Sequence, residues 1–308
     1  MANIDFSVLS GNARVAAVLY QSIVMKLADT GTIRNATCFL NVGSVNDSGS
    51  SAIQVPVVGL NGTDIMSAPG DGVSVSNTSI SASAATVTVA RQALRYDLTD
   101  LARVTGSVPG GVDLDGLSNA MVAAFNGRFN QLACALSSGF STQVGSTGVD
   151  LTTSTFYSAI FALQLQSVTG KFHAILHPQQ YNDLMSSLRT ETGPAQYIAA
   201  NQAQTSALGT SYKGELFGVN VHVSSYVPTA NAGADYRGMM LGDAAIAYAL
   251  GTPAPIQAAG GVVIPAGSPV AVEWERDAAS GLTKVVGSSF LGVAELQDLL
   301  GVGIVSDF

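Results

Sequence analysis

The sequence predicts an α+β fold with a protruding two-stranded arm, on the strength of three features. One amphipathic helix pattern of unusual length occupies the middle of the chain. Ser/Thr/Gly-rich segments with β-branched alternation precede it, and short helix patterns interleave with apolar strand patterns after it. The 308 residues supply ample apolar material for a sizeable core.

The elements follow in order. Residues 13–28, "ARVAAVLYQSIVMKLA", repeat Val15, Leu19, Ile23 and Leu27 every fourth position, one helical stripe closed by Gly31. Between Ile33 and Ala93 the chain turns to Ser, Thr, Gly and Asn. "SAIQVPVVGL" and "TSISASAATVTVARQALRYDLTDLA" read there as two strands around the turn-rich "NGTDIMSAPGDGVSVSN". Pro56 implies an edge position. Val87 and Val89 share one face while Leu94, Tyr96 and Leu98 have the opposite parity, so a bulge near Arg91 is expected. Such an arm is too poor in apolar residues to be its own core, and an isolated hairpin is marginal in water. Next, Leu117, Met121, Phe125, Phe129, Leu132 and Leu136 form a helical stripe, capped by Asp113, Asp115 or Ser118 and ended by Gly139. From Leu114 to Ser138 it would span about 37 Å.

"TTSTFYSAIFALQLQS" predicts a shorter helix, "FHAIL" a buried strand, and "PQQYNDLMSSL" a helix with Pro178 in its first turn. "ELFGVNVHVSSYVP" predicts a strand with Val219, Val221 and Val223 on one face, which turns His222 outward to solvent or an interface. "RGMMLGDAAIAYALG" reads as a strand followed by loop or helix. The closing "SPVAVEWERDAASGLTKVVGSSFLGVAEL" reads as a β-hairpin turning at Ala278–Gly281. There is no internal repeat of 20–50 residues.

Composition narrows the function. Charged residues make up only 11% of the chain, against about 25% in ordinary domains. Much of the surface must therefore be uncharged and suited to contact with other protein, which favours a large oligomer. A net charge of −8 and four scattered lysines (Lys26, Lys171, Lys213, Lys284) exclude a nucleic-acid grip. Cys38 and Cys134 have no paired spacing and read as reduced. The start has no export signal. The charge-free stretch 244–272 is broken by Pro253, Pro255, Pro265 and Pro269, so no spanning helix is expected and the chain reads as soluble.

Two constellations invite a chemical reading. His173 and His177 have the spacing of a zinc helix, but Ala174 stands where the general base belongs and Pro178 disfavours helix at His177. On a strand the two rings would stand about 13 Å apart, so no metal is expected. Glu273 and Glu275 flank Trp274 at a carboxylate spacing that overlaps that of glycosidases. An exposed hairpin face with Lys284 opposite is the simpler reading. The sequons at Asn35, Asn46, Asn61 and Asn77 mark only a polar segment. No catalytic, cofactor-binding or metal residue is assigned, and no enzyme is expected.

In order, helix, long hairpin, long helix, mixed α/β segment and returning strands resemble the major capsid proteins of tailed bacteriophages, the Hong Kong 97 fold, across essentially the whole chain. "FHAILHPQQYNDL", "GELFGVNVHVSSYVP" and "GMMLGDAAIAYALG" are the most specific pieces. The resemblance implies an N-terminal arm and helix (1–33), an extended β-hairpin loop (34–95), a peripheral β-sheet domain with its spine helix (96–145 and 262–308) and a mixed α/β axial domain (146–261). It further implies hexamers and pentamers in an icosahedral virion shell around double-stranded DNA, with no specific DNA binding, no membrane and no cofactor. An encapsulin-like compartment is the alternative. A helix within about fifteen residues of Met1 implies a separate scaffolding protein or none, with portal and cement proteins as further partners and assembly in the host cytoplasm. No lysine occurs between Lys26 and Lys171, so the arm cannot form the isopeptide links of some relatives.

Overall fold

The computed structural model describes residues 19, 23, 33–45, 50–58, 71, 74, 82–100, 114–191, 197–208, 211–251, 262–263 and 270–307. Val15, Leu27, Lys26, Asp113, the sequons at Asn46, Asn61 and Asn77, and most of the turn-rich 61–77 stretch lie outside them.

Strand β1 (Phe39–Ser44) precedes the hairpin β2 (Ala52–Val58) and β3 (Ala82–Thr88), then β4 (Ala90–Thr99) and helix α1 (Leu114–Ala135). After them come β5 (Gln143–Gly145), α2 (Thr153–Leu165), β6 (Phe172–Leu176), α3 (Pro178–Glu191), β7 (Tyr197–Ala199) and α4 (Gln202–Leu208). Strands β8 (Tyr212–Leu216), β9 (Val219–Val223), β10 (Thr229–Ala230), β11 (Asp235–Leu241), β12 (Ile246–Gly251) and β13 (Val262–Val263) follow. The chain closes with β14 (Val270–Asp277), β15 (Leu282–Glu295) and β16 (Gly301–Asp307).

Among the described residues three sheets form. A six-stranded sheet runs β1-β12-β15-β14-β13 with β4 on β15, an eight-stranded sheet runs β5-β16-β11-β6-β9-β8-β7 with β10 on β11, and β2-β3 stand apart as a two-stranded ribbon. The expected α+β architecture, hairpin, long helix and closing hairpin are all present. The turn of the closing hairpin falls at 278–281, between β14 and β15.

Helix α1 lays its stripe across both sheets. Met121 and Val122 pack with Leu19, Ile23, Val270, Val272, Trp274 and Val285 of the six-stranded sheet's core. One turn after another toward its C-terminus, Phe129, Ala133 and Cys134 join Phe39, Ile175, Leu241, Ile246 and Leu291 where the two sheets meet. Gly139 stops the helix through a 3-10 turn, and its own backbone stays right-handed at φ −77. Helices α2 and α3 cover the eight-stranded sheet with Phe156, Ile160, Leu163, Leu184 and Leu188.

Four findings depart from the sequence reading. The β4–β15 ladder runs unbroken from Leu98↔Thr283 to Ala90↔Leu291, so no bulge sits at Arg91. Parity flips because the chain changes partner strand at Val89, leaving both Ala90 and Arg91 exposed. "GELFGVNV" is two strands, since Phe217 (φ 53) and Gly218 (φ 81) make a tight turn between β8 and β9. His222 does not face outward: it is fully buried, because β9 lies between β6 and β8 in a sheet covered on both faces. Finally, residues 39–44, expected in the arm, pair in parallel with β12 of the six-stranded sheet. Residues 246–251 likewise belong to that sheet and residues 301–307 to the eight-stranded one. These pairings join segments up to about two hundred positions apart in sequence, which local patterns do not register.

Candidate assembly interface

Thr152 caps α2 by accepting a hydrogen bond from the Thr155 amide at 3.2 Å. Phe156, Ala159, Ile160 and Leu163 turn inward as a result. The opposite face presents Tyr157, Phe161 and Leu165 at successive turns, exposed by 57%, 54% and 68%. No charged residue occurs anywhere in the thirteen-residue helix. A surface helix on a monomer normally carries charge there. Phe217 of the β8–β9 turn extends the patch, its ring edge-on to Tyr157 at 6.0 Å.

The hairpin is a second such surface. Its base is anchored to the chain's own six-stranded sheet, where Val87, Val89, Ile53 and Val55 pack on Ala247, Ala249 and Phe290. Val89 donates its amide to the Ser51 carbonyl at 2.7 Å. A Cβ on Gly292 would lie 2.3 Å from the Thr88 carbonyl oxygen, so only glycine lets β3 cross so close to β15. Beyond that anchor, Gln54, Pro56, Ser83, Ala84 and Thr86 are exposed, and among the described residues no third strand pairs with the ribbon's outer edges.

The sequence's chemical candidates take structural roles. His173 lies on β6, as the strand reading requires, and His177 lies just past its end. His177 caps α3: its Nδ1 accepts from the Gln179 amide at 3.2 Å, while Gln180 Oε1 reaches back to the His177 amide at 3.1 Å. "HPQQ" is thus a reciprocal capping box, a signal present in the sequence but obscured by histidine in the place usually held by Ser, Thr, Asp or Asn. Its ring stacks on Tyr236 at 3.6 Å, and burial lowers its pKa. Gln180 is fully buried. Its amide nitrogen donates to Ser306 Oγ at 2.9 Å and to the Tyr236 and Ile304 carbonyls at 3.2 and 3.3 Å, fastening α3 to β11 and β16.

Glu275 does stand opposite Lys284 in the β14–β15 register. The lysine's hydrogen bond goes instead to Asp277 at 2.7 Å, and that bond, with the Ser280 amide, holds the Asp277 carboxyl down at about 2. Trp274 points the other way into the core at 4% exposure, so it cannot serve as a sugar platform beside the two glutamates. Cys38 and Cys134 are free and buried, and burial pushes the Cys134 thiol up to about 12 and raises that of Cys38 as well. Among the described residues no group of three or more His, Cys, Asp or Glu converges as a metal site, and no helix is long and apolar enough to cross a membrane.

No family model and no curated protein matches the chain in sequence. Its backbone, however, superposes on a capsid of Ralstonia phage GP4 with TM-score 0.58 at 12% identity, covering 91% of this chain and 90% of that one. The chain has the Hong Kong 97-like fold. The same fold matches the capsid of cyanophage P-SCSP1u, with TM-score 0.55, 14% identity and coverage of 99% and 92%. The SrpI encapsulin of Synechococcus elongatus gives TM-score 0.58, 12% identity and coverage of 99% and 92%. Both the ribbon and the apolar α2 face thus sit on a Hong Kong 97-like fold.

Proposed function

We propose that this chain is the major capsid protein of a tailed bacteriophage, a structural subunit that self-assembles into hexamers and pentamers of an icosahedral shell around double-stranded DNA. The observation that supports it is the shell fold running the length of the chain, with an uncharged apolar helix face left uncovered in a single copy. In this reading the six-stranded sheet with α1 is the peripheral part and the eight-stranded sheet with α2 and α3 the axial part. The β2–β3 ribbon lies on the neighbouring subunit, and the α2 face meets a second copy within the ring. Shells of this kind close through many modest contacts. The acidic balance keeps packed DNA from adhering to the wall. A separate scaffolding protein, a portal and a cement protein are the proposed partners, the virion is the location, and assembly takes place in the host cytoplasm. The arm, lacking lysine, locks without covalent links.

Negative-stain microscopy of the expressed chain, alone and with its scaffold, tests this reading. Closed particles are expected, running as single subunits in SDS, and particles from the source should hold nuclease-protected DNA. Particles filled with a protein cargo instead would favour the encapsulin reading. A monodisperse monomer under all these conditions would end both.

A further inference from the structure

Where the two sheets meet, four polar side chains form a single line. The Thr37 hydroxyl donates to Asp243 Oδ1 at 2.5 Å and faces His173 Nε2 at 2.9 Å. His173 Nδ1 faces His222 Nε2 at 3.4 Å, the two rings stacked with centroids 5.6 Å apart. The direction of every bond follows. Because the threonine spends its proton on the carboxylate, His173 must donate from Nε2, which leaves its Nδ1 as acceptor. His222 must then donate from Nε2, and its Nδ1 is left a bare lone pair, buried and without a partner among the described residues. His173 and His222 are 1% and 0% exposed.

The ends of this line belong to different blocks. His173 and His222 sit on β6 and β9, inside the eight-stranded sheet. Thr37 lies just before β1, and Asp243 lies in the β11–β12 crossover beside Ala244, a non-glycine residue at φ 56. The Ala244 amide donates to the Thr37 carbonyl at 3.0 Å, and Gly242 donates to Leu300 of the β15–β16 crossover at 2.8 Å. One polar line therefore ties the first edge of the six-stranded sheet, and two crossovers, to the middle of the other sheet.

We propose that the Thr37–His173–His222 line is an acid-sensitive clasp between the two sheets, closed only while both imidazoles are neutral. A proton on His173 Nδ1 sets two N–H groups face to face across the 3.4 Å contact. A proton on His222 Nδ1 buries a charged donor with no acceptor among the described residues. The surrounding groups do not relieve either state. Asp243 favours a charged His173 but is opposed by Lys171 and outweighed by burial, which holds His173 at about 4. His222 faces His173 and the Tyr212 ring at 5.5 Å, whose hydroxyl is turned to Asn220. Burial and His173 hold it at about 3. The Cys38 thiol, raised by burial, also lies near Asp243 and stays protonated.

Both values lie below the ordinary 6.5. The closed state therefore binds fewer protons than the open one. It is fully favoured above that value and loses ground as pH falls through 6.5 toward 4. From about pH 7 to about pH 5 the open-to-closed ratio rises on the order of 20-fold for one histidine and up to about 500-fold for two. The clasp belongs to the single chain, so it stands or falls independently of shell assembly.

Hydrogen exchange of the full chain, corrected for the intrinsic pH effect, tests it. Protection of peptides covering 33–45 and 241–251 is expected to fall by 20- to 500-fold over that interval while 282–289 of the β14–β15 hairpin stays protected. The His173→Gln/His222→Leu double variant, which keeps His177, should abolish the pH response. If that variant does not fold, Thr37→Val decides, because it should leave 33–45 equally exposed at both pH values. A flat wild-type response, a loss spread evenly over the chain, or a response that persists in whichever variant folds would overturn the proposal.

Discussion

Replacing Phe161 with Ser separates the two roles of helix α2. The ring is 54% exposed, and an aromatic side chain buries about 150–250 Å² in full contact, so roughly 100 Å² remains available to a neighbour. At ~25 cal/mol per Å² its loss weakens each contact by about 2.5 kcal/mol, or about 60-fold. Tyr157 and Leu165, exposed by 57% and 68%, bring the whole face to roughly 300 Å² and a gross ~8 kcal/mol, from which the costs of association are subtracted. The isolated subunit also loses the roughly 90 Å² that the inner part of this ring buries against its own chain, so it should fall in stability by about 2 kcal/mol. The assay is light scattering against subunit concentration, with urea unfolding of the unassembled chain alongside. The concentration at which particles first form should rise about 60-fold under conditions where urea unfolding shows both chains still folded. Assembly of the variant at the wild-type concentration would refute the assignment of this face to a subunit contact.

Three further outcomes are expected. Gln180→Leu strands the His177 amide and removes the bonds to Ser306, Tyr236 and Ile304. It should cost about 3 kcal/mol in urea unfolding, whereas Gln179→Leu on the exposed face should cost well under ~1 kcal/mol. Gly292→Ala drives a methyl to 2.3 Å from the Thr88 carbonyl, so it should lift the ribbon off the sheet at about 1–3 kcal/mol and open it to protease near Ser51. Gly218→Ala, at φ 81 with open space around it, should cost only about 1 kcal/mol and leave the ribbon's protease resistance unchanged.

Locally encoded features were legible in the sequence. Four-residue spacing gave α1, and polar alternation around a Ser-Gly turn gave the β14–β15 hairpin with Glu275 opposite Lys284. The arm was read from its shortage of apolar residues, and β2–β3 pair as that reading required, Ala52↔Thr88 through Val58↔Ala82. What escaped depends on partners distant in sequence. Phe39–Ser44 looks like arm until β12 arrives beside it. His222 alternates like a surface residue until neighbouring elements cover both faces of β9. The uncovered stripe of α2 was concealed for the opposite reason: Phe156, Tyr157, Ile160 and Phe161 together make a helix apolar all round, and only the packing shows which half lacks a partner. The polar line at the junction unites Thr37, His173, His222 and Asp243, which no motif groups.

The chain passes between its two large sheets three times: after β4 by way of α1, from β11 to β12, and from β15 to β16. Neither sheet can therefore be cut free with one pair of scissions. A fragment ending at Leu241 would lack β16, the neighbour that β11 needs along its whole length, and one starting at Ile246 would carry β16 away from every strand it bonds. The polypeptide is consequently one cooperative folding unit: the eight-stranded half stays unfinished until Gly301–Asp307 is in place beside β11 and β5.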